Sequence, residues 1–160
     1  CLAIYDKIHM FDANVEDGKI YRESEDFHAG EEVVTSKTSL AHIGLSICYD
    51  VRFPQMYRKM AQDGAEIILT PAAFTAKTGK AHWHVLQRAR AIETGSFIIA
   101  AAQSGTHADG RQTYGHSLIV NPWGEIIAEA ATPQSQLILA SLDLREVDIA
   151  RNAIGAWKSE

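Results

Sequence analysis

A chain of 160 residues, 46 % hydrophobic and 22 % charged, is one domain's worth of globular protein, long enough to bury a substantial core and too apolar for disorder. Fifteen Lys plus Arg against twenty Asp plus Glu leave a net charge of −5, which argues against nucleic acid or an anionic membrane surface as partner. No apolar run reaches transmembrane length, and two cysteines exclude a disulfide framework, so a free thiol in a reducing cytoplasm is expected.

The chain opens on Cys1-Leu-Ala-Ile-Tyr5 without a polar lead-in or turn signal, so residue 1 reads as an interior point of a longer parent. Leu2 to Met10 is strand-like, and Asp12 to Gly18 is a polar loop rich in turn residues. Val33-Val34 and Leu40 to Ile47 form a hairpin that feeds a strand ending at Cys48. Pro54, at a first helical position, opens a helix that Gly64 closes. Ile67 to Leu69 is a short, wholly apolar strand of the kind covered on both faces. Trp83, Leu86, Ala89 and Ile92 recur at three- and four-residue steps, predicting an amphipathic helix over Lys80 to Thr94 with Gly95 as its stop. Phe97 to Ala102 is again a strand. Tyr114 to Val120, the turn Asn121-Pro-Trp-Gly124 and Glu125 to Ala130 make a strand-turn-strand unit. Leu137 to Leu142 is a last strand and Arg145 to Ala153 a closing helix. Helices between apolar strands, interrupted by hairpins, predict an α/β fold with mixed sheets in a single domain over 1–160.

Cys48 ends a buried strand a few residues before a helix. That geometry brings a thiol to the carboxyl edge of a sheet, where unsatisfied helix N–H groups favour thiolate. A small apolar thiol is also an ordinary packing residue, and the turn alone leaves both readings open. A cysteine nucleophile needs a base and a positive group for the oxyanion. The seven histidines share no spacing and no Cys/His pair stands out, nor does a Cys/His cluster with metal spacing. His82 and His84, flanking Trp83, read as surface or capping groups, and His116 reads as a hydrogen-bonded structural residue. Lys7 stands on a largely apolar strand, where burial without an acidic partner is costly, and Glu23 follows it. By themselves both are compatible with solvated surface charges.

Tyr5-Asp-Lys7-Ile-His-Met-Phe-Asp12, Tyr21-Arg-Glu-Ser24, Gly44-Leu-Ser-Ile-Cys-Tyr-Asp-Val-Arg-Phe-Pro54, Pro71-Ala-Ala-Phe74, Thr78-Gly-Lys-Ala-His-Trp83, Arg88-Ala-Arg-Ala-Ile-Glu93, Tyr114-Gly-His-Ser117 and Asn121-Pro-Trp-Gly124 together resemble the nitrilase superfamily of carbon–nitrogen hydrolases. Within it they are most similar to the amidases of deaminated glutathione and of ω-amides. The resemblance implies a four-layer α-β-β-α sandwich, of which this chain is the carboxyl-terminal portion without the N-terminal part. It implies Cys48 as nucleophile, Lys7 with the backbone N–H of Tyr49 as oxyanion holders, and Glu23 as the group that orients Lys7. The implied reaction is attack of Cys48 on a primary amide of a small molecule, release of ammonia and hydrolysis of the thioester. No metal or organic cofactor is required, because the lysine and amide dipoles supply the electrostatic stabilisation. Phe74, Lys77 and Arg111 are candidates for substrate binding, with a cationic residue among them receiving a substrate carboxylate.

Three departures qualify the resemblance. The family's general-base glutamate lies upstream of the lysine, in a segment this sequence does not contain, so weak or absent amide hydrolysis is expected. His84 stands where relatives carry an acidic residue. The tail from Asn152 to Glu160 differs from the basic ending of relatives that contributes to subunit contacts. A homo-oligomer (dimer or higher) or a complementing N-terminal segment is expected to cover exposed edges. The alternatives are a non-catalytic binding or regulatory module that keeps the fold, and an N-terminal nucleophile at Cys1.

Overall fold

The computed structural model describes residues 1–15, 19–132 and 134–158. Its centre is a six-stranded mixed sheet in the order β10-β9-β6-β5-β4-β3. The strands are β3 (Thr35–Lys37), β4 (His42–Leu45), β5 (Ile67–Leu69), β6 (Phe97–Ala100), β9 (Leu118–Val120) and β10 (Ile126–Glu129). β4, β5 and β6 run parallel, and β3, β9 and β10 complete the sheet antiparallel. Two ribbons stand apart: β1 (Asp12–Val15) with β2 (Lys19–Arg22), and β7 (Ser104–Thr106) with β8 (Gln112–Tyr114).

The two parallel crossovers carry α2 (Pro54–Gln62) and α3 (Ala76–Thr94), which pack on each other. Successive crossovers advance the same way along the sheet, and the right-handed rule then sets both helices on one face. Alternation along the strands agrees: Ile68 and Ile98 are fully buried, whereas Ile67, Leu69 and Ile99 on the opposite face are half-buried. α2 starts at Pro54, whose missing N–H costs nothing at a first helical position, and it buries Met56, Tyr57, Met60 and Ala61. α3 stops at Gly95 in the left-handed conformation (φ 59°), which a residue with a side chain adopts only at a cost. Trp83, Tyr57, Met60 and Ile68 lie at 0 % exposure between helices and sheet, each contributing about 1.5–3 kcal/mol of hydrophobic stabilisation. A short helix α1 (Glu23–Asp26) follows β2, α4 (Arg145–Ala153) closes the fold, and no helix among the described residues is long and apolar enough to cross a membrane.

Several expected elements appear where the sequence places them, namely the β3–β4 hairpin, α2, β5, β6 and α4. Others are corrected. Leu2 to Met10 pairs with no strand among the described residues, and the N–H groups of Ile8 and His9 donate instead to the side chains of Tyr5 and Asp50. Asp12 to Val15 is a strand rather than loop, and residues 16–18 of the expected loop lie outside the described residues. α3 begins at Ala76 instead of Lys80. Tyr114 to Val120 is broken at Gly115 and His116, both at positive φ. Leu137 to Leu142 also pairs with no strand among the described residues, and Leu137 and Leu139 are more than 80 % exposed. In the tail, residues 159–160 lie outside the described residues.

Candidate active site

The carboxyl ends of the three parallel strands converge on one open cleft of about 980 Å³. Cys48 follows β4, Pro71 to Ala73 follow β5, and Ala101 to Gln103 follow β6, and all line it. Such ends are where ligands bind in parallel α/β sheets, because loops diverge there while the strands stay rigid. Lys7 and Glu23 line the same cleft, as do Phe11, Phe27 and Arg111.

Cys48 is the first residue of a 3₁₀ turn, Cys48–Arg52, and its backbone is left-handed at φ 49°. For a residue with a Cβ this conformation costs of order 1–3 kcal/mol and persists only when neighbours fix it. Here the Cys48 N–H donates to the Pro71 carbonyl (2.8 Å), and the Ile47 N–H donates to the Asp50 carboxylate (2.8 Å). The strained turn turns the thiol away from the sheet into the cleft. Burial pushes the thiol pKa up. The Ala73 N–H and the Lys7 ammonium pull it back down, while Glu23 and Asp50 push it further up. The expected thiolate preference at a helix start is thus corrected: desolvation outweighs the favourable dipoles, and the thiol needs a base.

Lys7 forms an ion pair with Glu23, whose carboxylate also accepts the Phe11 N–H (2.5 Å). The lysine is largely buried, so this partner offsets the cost of its desolvation, and both residues line the cleft that Cys48 also lines. Tyr49 is the second residue of the turn, in the part of a helix whose N–H groups have no intrahelical acceptor. Its ring packs edge-on against Phe11 and Phe53 at 5.1 and 5.5 Å.

The substrate candidates separate. Arg111 lines the cleft and pairs with Asp109 at 2.5 Å. Phe74 is buried against Trp83 (4.8 Å) under the Arg52 guanidinium (5.2 Å), so packing accounts for it, although it reaches a minor recess beside Cys48. Lys77 sits in the first turn of α3 and is not among the residues that line the cleft.

Sequence reasoning missed Asp50. Fully buried behind the nucleophile turn, it accepts from the Tyr5 hydroxyl (2.7 Å), the His9 N–H (3.0 Å) and the Ile47 N–H (2.8 Å), and its Oδ1 meets the His9 ring nitrogen at 2.8 Å. An Asp two residues after Cys48 was the available signal, but nothing local indicates that two of its partners, Tyr5 and His9, lie more than forty residues upstream. The fold also assembles a group that spacing did not reveal: His84, His116 and Glu129 meet although they are far apart in sequence.

A strained cysteine at the carboxyl edge of a mixed α/β sheet thus shares one cleft with a glutamate-held lysine. The carbon–nitrogen hydrolase family profile matches residues 1–152, and the chain belongs to that family. It is 52 % identical over 131 residues to a deaminated glutathione amidase of Synechocystis sp., covering 81 % of this chain and 48 % of that protein. The crystal structure of the C. elegans NitFhit protein superposes with a TM-score of 0.88 at 41 % identity, covering 98 % of this chain and 38 % of that one. A mutant of the amidase from Nesterenkonia sp., with the acetamide moiety of fluoroacetamide added covalently at its active-site cysteine, matches with a TM-score of 0.76 at 27 % identity, over 96 % of this chain and 57 % of that one. The chain spans about half the length of the curated relatives it matches.

Proposed function

We propose that this chain carries the nucleophile and oxyanion-holding part of an amidohydrolase site for small primary amides. Cys48 Sγ attacks the amide carbonyl carbon, and Lys7 with the Tyr49 N–H receives the negative charge that develops on the oxygen. The carbon–nitrogen bond breaks as the carbon–sulfur bond persists, and the nitrogen leaves as ammonia after taking the thiol proton through a base. Water then cleaves the thioester, releasing the carboxylate and regenerating the thiol. The observation that carries this reading is the left-handed Cys48 turn opening into the same cleft as the Lys7–Glu23 pair.

Because burial raises the thiol, attack needs a base, and Glu23 is already engaged by Lys7 and Phe11. The resemblance places the family's general base upstream of the lysine, so attack by Cys48 depends in this reading on a proton acceptor beyond these residues. The substrate class is the amide of deaminated glutathione or the ω-amide of a small dicarboxylate. Arg111 lines the cleft and, in this reading, exchanges Asp109 for the carboxylate of either. Leu2, Ile4, Leu137 and Leu139 are strongly exposed apolar side chains, which supports self-association or cover by a further segment. A reducing cytoplasm suits Cys48 as a free thiol.

The test is fluoroacetamide labelling with peptide mapping, run beside ammonia release from the two amide classes. Adduct at Cys48, lost in Cys48→Ser, with turnover far below that of the Synechocystis amidase is the expected result. Adduct at Cys1 alone, or none, removes the nucleophile assignment, and turnover comparable to the longer enzyme removes the dependence on an upstream base.

A further inference from the structure

Outside the cleft, three side chains from three elements meet at one point. His84 comes from the middle of α3, His116 from the bend between β8 and β9, and Glu129 from the end of β10. Glu129 Oε1 lies 2.9 Å from His84 Nε2 and 2.7 Å from His116 Nδ1, and the three atoms lie within 4.8 Å of one another. Each side chain is only about a quarter exposed, at 27–28 %, so solvent reaches the cluster from one side.

The surroundings hold the rings in place. His116 is left-handed at φ 58°, one of two such non-glycine residues among those described, the other being Cys48. The indole N–H of fully buried Trp83 donates to the His116 carbonyl at 2.8 Å, so the neighbour of one imidazole pins the backbone of the other. Tyr114 stacks on the His116 ring (4.3 Å) and meets His84 edge-on (5.8 Å). Strain that tertiary contacts maintain in this way is more often found at ligand sites than in plain packing.

We propose that His84, His116 and Glu129 bind a divalent transition-metal ion of the zinc class. Two imidazole nitrogens and one carboxylate oxygen are a borderline-soft donor set that suits such ions and disfavours calcium and magnesium, which take oxygen ligands. Tetrahedral zinc bonds of about 2.0–2.2 Å separate neighbouring donors by about 3.3 Å. The two separations from Glu129 are 2.7 and 2.9 Å, so a small opening of the side chains admits the ion. Water supplies the remaining coordination from the exposed side. The ion would tie α3, the β8–β9 bend and β10 together beside Ser117, whose hydroxyl accepts the Ala102 N–H (2.8 Å) and which lines the cleft. The inference stands independently of the amidohydrolase reading.

Zinc titration calorimetry tests it on the full chain with Cys1 and Cys48 both replaced by serine, which removes thiolate as a competing ligand. One equivalent of Zn²⁺ is expected, weakened about tenfold or more by His84→Gln and by Glu129→Gln. Co²⁺ substituted into the same protein is expected to give the visible absorption of a low-symmetry site, lost in both variants. No saturable binding, or binding that both variants leave unchanged, overturns the proposal and leaves a hydrogen-bonded triad. Circular dichroism confirms folding, and if His84→Gln, within α3, does not fold, Glu129→Gln at the sheet edge supplies the same readout.

Discussion

Asp50 grips His9 twice, accepting its backbone N–H at 3.0 Å and meeting its ring nitrogen at 2.8 Å, and so binds the segment carrying Lys7 to the turn carrying Cys48. The same carboxylate takes the Tyr5 hydroxyl, and Tyr5 in turn accepts the Ile8 N–H at 3.1 Å. Lys7 is therefore flanked on both sides by residues anchored behind the nucleophile. No strand pairing holds this segment among the described residues, so the buried carboxylate substitutes for a ladder.

Asp50→Ala strands these donors in a buried site and is expected to cost about 3–5 kcal/mol, read as a lowered urea midpoint. Tyr5→Phe removes two bonds, the one donated to Asp50 and the one accepted from Ile8, and is expected to cost about 1–3 kcal/mol. Equal midpoints for Asp50→Ala and wild type would show that the clamp does not hold the fold.

The charges around Cys48 give its reactivity a sign. Since burial raises the thiol, alkylation by iodoacetamide at neutral pH should be slower at Cys48 than for free cysteine, and its rate should climb at higher pH than for the free amino acid. Lys7→Ala removes a charge that lowers the thiol pKa and should slow labelling further, whereas Glu23→Gln removes one that raises it and should accelerate labelling. By linkage, the protonated thiol stabilises the fold below the unfolded cysteine pKa, and this contribution disappears as pH rises through the folded value. Rates from time-resolved peptide mass spectrometry check both directions; the same sign for the two variants would contradict this electrostatic account.

The site was legible in sequence to the extent that its chemistry is local. Cys48 stands between a strand and Pro54, and Lys7 and Glu23 fall within family blocks, so three candidates could be named without coordinates. Asp50 and the His84–His116–Glu129 cluster were not legible, because their partners are set by tertiary packing rather than spacing. The same limit explains the strand errors. Apolar composition makes Leu2 to Met10 and Leu137 to Leu142 strand-like, but a strand exists only with a partner. The thiol shift was misjudged because a helix terminus is visible in sequence and burial is not.

Gly79 lies inside α3, ahead of the expected start at Lys80. It is buried within the helix because Tyr114 occupies the space of a side chain: a Cβ there would lie 2.2 Å from Tyr114 Cβ. Gly79→Ala, a helix-favouring change elsewhere, is therefore expected to destabilise by about 1–3 kcal/mol through overpacking. Thermal unfolding measures this, and an unchanged or raised Tm would mean that Tyr114 moves aside freely.

Gln87 lies at 0 % exposure on α3, and neither atom of its side-chain amide has a hydrogen-bond partner among the described residues. A buried amide in this state costs about 1–3 kcal/mol, while an apolar side chain of similar length carries no such cost. Gln87→Met keeps the volume and the unbranched shape, so packing against the sheet changes little. The variant is expected to gain about 1 kcal/mol, which for a chain of this size raises Tm by about 2–4 °C. A fall in Tm would show that the amide is satisfied in solution, by water or by a contact made on association. Repeating the scan at several protein concentrations separates those two cases, because only a contact between chains makes the loss grow with concentration.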